Sequence, residues 1–267
     1  IMERCILVPY EFSNEANFAL YHAYEVAKTE KLPIHILFVA ESEKLVDEWK
    51  VELDKVAKKF VEATGYENVV TVVRKGSPFD VIHEYGIEVN AYLAVMGVHG
   101  IKTIDKQMKL IQKFVKVPFV LVQSPIAFGE YDRICIPIDG NKKSRIKFTW
   151  AKYLNLLFES HVYIVYPKTN SESRRADINS NIAFATTLFA DNAIEFDVEG
   201  VPEEDFYENS YDYMSTISPD LVLFMSENYK DAITSIKHPR NIELSKRIPV
   251  MCVNPRTDIV KLGGFNY

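Results

Sequence analysis

A doubly wound α/β fold, present twice in tandem, is predicted by three observations. Short β-branched runs alternate with longer helical patterns, the runs are apolar almost throughout, and the whole series recurs in the second half. Arg4 to Glu11 reads Arg-Cys-Ile-Leu-Val-Pro-Tyr-Glu, and Arg133 to Asp139 reads Arg-Ile-Cys-Ile-Pro-Ile-Asp. An offset of 128 residues carries Pro9 onto Pro137, Leu20 onto Phe148, Ala23 onto Ala151, and 35–38 onto 163–166. The offset drifts to 129 between 92–96 and 221–225, and to 131 between 117–122 and 248–253. That period is far too long for a solenoid, and each copy is long enough to be an ordinary domain. The expected domains are 1–125 and 132–267, joined by a linker from Ser124 to Tyr131 in which Pro125 and Gly129 break regular structure.

In the first copy the strand-like runs are 4–9, 34–39, 69–74, 92–97 and 118–123. Near-continuous apolar runs suit parallel strands covered on both faces. Between the second and third runs, Leu45, Trp49, Leu53, Val56 and Phe60 recur at helical spacing and make one apolar face over 43–64. Gly65 is placed to stop that helix. Ser77 and Pro78 read as an N-cap and first helical residue of a helix reaching about 85. The second copy repeats the strands at 133–138, 161–166, 194–199, 220–225 and 249–253. Its helices are expected near 143–158, 173–191, 203–216 and 229–247. Strand, helix, strand in series implies right-handed crossovers and a sheet with helices on both faces.

Composition narrows the function. The chain is 48% hydrophobic and 25% charged, within the globular range. A net charge of −6 argues against a broad nucleic-acid surface. The longest clean apolar run, Val117 to Val122, is too short to span a bilayer, and Met2-Glu3-Arg4 does not resemble a signal peptide. Cys5, Cys135 and Cys252 are widely spaced inside strand-like runs and read as buried thiols of a cytoplasmic protein.

In such sheets ligands sit outside the carboxyl ends of the strands, where strand order reverses. With the order 3-2-1-4-5 the reversal lies between the first and fourth strands. Tyr10 and Glu11 then face Met96, Gly97, Val98, His99 and Gly100. In the second copy Ile138 and Asp139 face 225–228.

Taken in order, Ile-Leu-Val-Pro followed by an acid, Ile-Leu-Phe-Val, Gly76-Ser77-Pro78, Val-Met-Gly-x-His-Gly ending at Gly100, and Val-Pro-Phe-Val-Leu-Val ending at Val122 resemble the universal stress protein family. The resemblance covers the first copy fully and the second more faintly. It implies two tandem doubly wound α/β domains, each a five-stranded parallel sheet of order 3-2-1-4-5 with helices on both faces, related by a pseudo-two-fold axis.

ATP-binding members carry Gly-x-x-Gly, nine residues, then Gly-Ser or Gly-Thr, so that backbone N–H groups approach phosphates. Here Gly97 and Gly100 match, but Leu110-Ile111 stands nine residues on. Counting back from Pro118 gives Asp105-Lys106 instead. Glu11 stands where the ribose-binding acid is usually aspartate. The second copy keeps Asp139 but has Ser226 and Tyr229 at the two glycine positions, where side chains would crowd a phosphate.

The resemblance therefore implies a binding or regulatory module of stress-response type, without enzymatic activity. The first copy would hold ATP or AMP weakly through Tyr10, Glu11, Val39, Met96, Gly97, His99, Gly100, Lys102 and Lys106, with adenine near Val39. The second copy would be mainly structural. A slow nucleotide hydrolase or adenylate-transfer enzyme, and an interaction scaffold with a vestigial pocket, stay open as alternatives.

Lys102, Lys106, Lys109, Lys113 and Lys116 form one basic stripe. It reads as a solvated face, or, at Lys102 and Lys106, as point charges replacing lost backbone contacts to an anion. His99 reads as a loop residue that fixes its turn. His83-Glu84 lacks the second histidine of a zinc-protease helix, since position 87 is Ile, and the six histidines show no metal-ligand spacing. Lys142, Lys143, Arg145 and Lys147 read as a solvated helix start.

Fifth strands beginning at Pro118 and Pro249 are apolar edges that need cover. The family resemblance implies that they pair, antiparallel, as an internal pseudo-dimer, and it leaves room for a homodimer. Leu121→Lys and Cys252→Lys are then each expected to lower the melting temperature of the whole chain, because each places an unpaired charge in a buried seam. Wild-type melting in both variants, followed by circular dichroism, would exclude the pairing.

Overall fold

The computed structural model describes residues 4–99, 104–114, 117–126 and 130–254. The chain divides into two compact units that meet between Gly129 and Glu130.

In the first unit the strands are β1 (Cys5–Pro9), β2 (Ile34–Ala40), β3 (Val69–Lys75), β4 (Ala91–Gly97) and β5 (Phe119–Val122). The helices are α1 (Asn14–Glu30), α2 (Val46–Thr64), α3 (Pro78–Glu88) and α4 (Ile104–Lys113). All pairings are parallel and give the order β3-β2-β1-β4-β5. The strand order therefore reverses beside β1, as expected. β1 and β4 are buried along their whole length, being covered on both faces. β3 is only half-buried, because it lies at the outer edge of its sheet.

Local chemistry sets the helix ends. Ser13 caps α1 by accepting from the Ala16 N–H at 3.0 Å. A short 3-10 turn, Glu43–Leu45, precedes α2, whose Leu53 and Phe60 face the core. Gly65 closes α2 at φ 72, a left-handed conformation that suits glycine. Ser77 and Pro78 open α3, although the Ser77 hydroxyl makes no capping bond.

The second unit repeats the design with β6 (Arg133–Pro137), β7 (His161–Lys168), β8 (Phe196–Pro202), β9 (Leu221–Met225) and β10 (Val250–Val253). Its order is β8-β7-β6-β9-β10, again parallel throughout. The helices are α5 (Ile146–Phe158), α6 (Glu172–Asp191), α7 (Phe206–Ile217), α8 (Ser226–Ser235) and α9 (Pro239–Arg247).

The duplication reaches individual hydrogen bonds. The Tyr10 N–H donates to the Leu37 carbonyl and that of Ile138 to Val165, both at 2.8 Å and 128 residues apart. Lys31 and Glu159, also 128 apart, both close the first helix of their unit in the left-handed conformation, at φ 55 and 52.

The single helix expected over 229–247 is two helices. Pro239 lacks an N–H and fixes its own φ, so it breaks the first helix and starts the second, with His238 as N-cap. Among the described residues no helix is long and apolar enough to cross a membrane. Cys5, Cys135 and Cys252 are free and buried, and burial drives the Cys5 thiol up to about 12.

His22 lies fully buried in α1, and burial pushes its imidazole down to about 3 from an ordinary value near 6.5. Below about 6.5 the unfolded chain takes up a proton at this site while the folded chain stays neutral. Stability is therefore lost as pH falls from about 6.5 toward 3, by up to ~1.4 kcal/mol per pH unit. Chemical denaturation at pH 6.5 and 4.5 should show a smaller loss in His22→Gln than in the wild type. Acids paired with Lys50, Lys113 and Arg74 are common to both proteins and cancel in the comparison.

Candidate functional site

The carboxyl ends of β1, β2 and β4 frame a cavity of about 240 Å³ in the first unit, together with α3 and α4. Tyr10, Glu11, Val39, Met96, Gly97, His99 and Lys106, all expected from the sequence, line it. Gly100 and Lys102 lie outside the described residues. Phe38, Phe79, Ile82, Gln107 and Leu110, which were not expected, are also part of the wall.

Tyr10 follows β1 and keeps a strand-like bond to Leu37, so its side chain projects at the strand end. Its hydroxyl donates to Asn17 Oδ1 at 2.5 Å, which ties it to the first turn of α1. Phe12, at φ 60, packs edge-on to Tyr10 at 5.1 Å and to Phe38 at 5.2 Å, and lies 5.0 Å from the Trp49 ring. Phe12 lies in a loop and carries no periodic signal, so the cluster it forms with Tyr10, Phe38 and Trp49 was not legible before folding.

Gly97 is required by packing. A Cβ there would run into the backbone of Glu15 and lie 2.7 Å from the Ala16 N atom. The end of β4 and the start of α1 therefore touch backbone to backbone. The Gly97 carbonyl also accepts from Gln107 Nε2 at 3.2 Å, which anchors α4 to the strand end.

His99 stands between two carboxylates. Its Nε2 faces Glu11 Oε1 in a short contact, and its Nδ1 lies 3.1 Å from Glu15 Oε2. Both ring nitrogens face carboxylate oxygens. The histidine thus fixes the loop after β4 to the segment before α1. It also engages Glu11, the residue expected to take a ribose hydroxyl. The two nitrogens point to different acids, and no group of three or more His, Cys, Asp or Glu side chains that could hold a metal ion occurs among the described residues.

Of the lysine stripe, Lys106, Lys109 and Lys113 are exposed, while Met108, Leu110 and Ile111 are buried. Lys113 is paired with Asp80 at 2.6 Å, and that hydrogen bond holds the Asp80 carboxyl below its usual range. Lys106 alone of these three lines the cavity.

The second unit differs at the same place. β9 runs straight into α8, with no intervening loop, so Ser226 and Tyr229 occupy the first helical turn and both are buried. The Ser226 hydroxyl donates to Asn254 Oδ1 at 2.6 Å. The expectation of a wholly solvated helix start fails at Lys147, which is 2% exposed. The α5 helix turns this residue inward, and its Nζ donates to the Pro137 carbonyl at 2.5 Å.

Parallel β3-β2-β1-β4-β5 order with a cavity at its switch point defines a doubly wound α/β domain. Residues 2–110 match the universal stress protein family. Over almost its full length the chain is also similar to solved structures. One is a universal stress protein from Archaeoglobus fulgidus DSM 4304, 15% identical, with TM-score 0.64, covering 95% of this chain and 97% of that one. Another is a putative universal stress protein from Pseudomonas aeruginosa UCBPP-PA14, 16% identical, with TM-score 0.59, covering 98% and 96%. At these identities the likeness is one of fold. No curated protein matches the chain.

Gly97→Val is expected to lower the melting temperature by several degrees even without ligand, because backbone and not a flexible side chain must yield. Differential scanning calorimetry of the ligand-free protein tests this. An unchanged transition would show that the strand end and helix have room to separate.

Proposed function

We propose that the first unit is a weak adenine-nucleotide-binding module of stress-response type, acting in the cytoplasm as a regulator and not as an enzyme. The observation that carries this reading is the cavity at the switch point, with an apolar, aromatic inner wall and Glu11 and Lys106 among the polar groups lining it. In this reading adenine lies beside Val39, Phe38 and Met96, and Glu11 takes a ribose hydroxyl. Leu110-Ile111, standing where Gly-Ser would complete a phosphate loop, supports weak retention of a triphosphate. Losing two or three charge-assisted hydrogen bonds costs roughly 1.5–3 kcal/mol each. The ligand's hydroxyl would also have to share Glu11 with His99.

Titration calorimetry with AMP and ATP is the test. Dissociation constants of about 10 µM to 1 mM are expected, with ATP held no more tightly than AMP. Val39→Trp, which fills the base pocket, should abolish both. Nanomolar ATP affinity, or steady-state turnover above about 1 per second that Val39→Trp removes, would refute the reading.

A further inference from the structure

The second unit has its own cavity, of about 190 Å³, at the carboxyl ends of β6, β7 and β9. Its floor is Pro137, Ile138, Lys147, Pro167 and Phe224, all buried, whereas Asp139, Glu203 and Asn228 are half-exposed and Arg174 is exposed at the rim. The offset of 128 carries buried Ala19 of the first unit onto Lys147, so the duplicated backbone holds an amine where its counterpart holds a methyl group.

That amine is unusual in three ways. It is almost completely buried yet lines a cavity. It has three donors as an ammonium, and the Pro137 carbonyl is a neutral acceptor for one of them. Among the described residues no carboxylate comes within ion-pairing distance of it. Arg174 is instead paired with Glu203, and Asp139 Oδ1 accepts from the Asn141 N–H at 2.9 Å. A buried ammonium without a counter-ion at contact is costly, and the cost favours the neutral, nucleophilic amine. We propose that Lys147 is the reactive group of a second small-molecule site, which captures an aldehyde or ketone with an aromatic body as an imine. Phe206, Tyr207 and Phe224 supply aromatic walls for such a body.

The groups around the amine suit the reaction. Burial brings the Lys147 ammonium down to about 8, against the opposing influence of Asp139 and Cys135. Burial and then the neighbouring charges of Asp139 and Asp231 drive the Tyr207 phenol up to about 12, so it stays a hydroxyl donor. In the proposed step the ammonium loses a proton to solvent, and the free amine adds to the carbonyl carbon, forming the C–N bond. The carbonyl oxygen receives one proton from solvent and one from the nitrogen, the C–O bond breaks, and the oxygen leaves as water. An ammonium and a carbonyl become a protonated imine and water, with no change of oxidation state. The first unit has no counterpart, since Ala19 offers no nucleophile.

The test uses benzaldehyde with cyanoborohydride on the full chain at pH 7, followed by peptide mass spectrometry. Lys142 and Lys143, exposed in the 3-10 turn before α5, are internal controls. Because the neutral fraction at pH 7 rises roughly three-hundredfold when a lysine falls from 10.5 to about 8, Lys147 should be labelled at least tenfold faster than either control. Asn228→Trp, at the half-exposed rim, should slow labelling of Lys147 while leaving the controls unchanged. Labelling of Lys142 and Lys143 that matches or outpaces Lys147, or labelling of Lys147 that is indifferent to Asn228→Trp, would overturn the proposal.

Discussion

No side chain fits between the end of β4 and the first turn of α1. A Cβ on Gly97 would collide with the backbone of Glu15, so strand end and helix start meet at backbone distance. This approach fixes the position of α1 against the carboxyl end of the sheet. It places Glu11 and Glu15 on either side of the loop that carries His99, and it lets Tyr10 reach Asn17. The cavity of the first unit is the space left when these contacts are satisfied. A ligand there would meet polar groups already oriented by one another, which reduces the ordering needed on binding.

The two units share a backbone plan and differ in the charges it carries. Equivalent hydrogen bonds and left-handed helix ends recur 128 residues apart, so the sheet frame is held by apolar packing common to both. At the switch point the side chains diverge. The first unit has a histidine between two acids after its strand end. The second has a helix starting directly at the strand end and a lysine drawn under it. Packing constrains volume and pattern, whereas the chemistry at strand ends is free to change without cost to the core. One fold thus presents two different electrostatic sites.

Exposed ion pairs such as Lys50–Asp54, Lys55–Glu52 and Arg74–Glu88 are numerous, but exposed pairs of this kind contribute little to stability. The buried aromatic contacts weigh more. Phe114 meets Phe119 edge-on at 4.7 Å, and Tyr131 meets Phe158 at 5.4 Å, each joining an element to its own unit's core.

The sequence by itself determined the repeated strand and helix series and most of the switch-point residues of the first unit. Apolar periodicity is a local property, and a duplicated order of strands constrains where their ends converge. Helix ends were legible where a single residue dictates the backbone, as at Gly65 and Pro78, and misplaced where Pro239 was passed over within one long amphipathic pattern. Tertiary structure alone decided which partners meet. Glu11 and His99 are far apart in sequence, Phe12 joins Phe38 and Trp49 only after three elements pack, and Lys147 changes from a surface cation to a buried amine because α5 turns that position toward β6. A lysine among Lys142, Lys143 and Arg145 carries no local mark of burial. Its environment depends on the rotation of the helix against the sheet, and long-range packing sets that rotation.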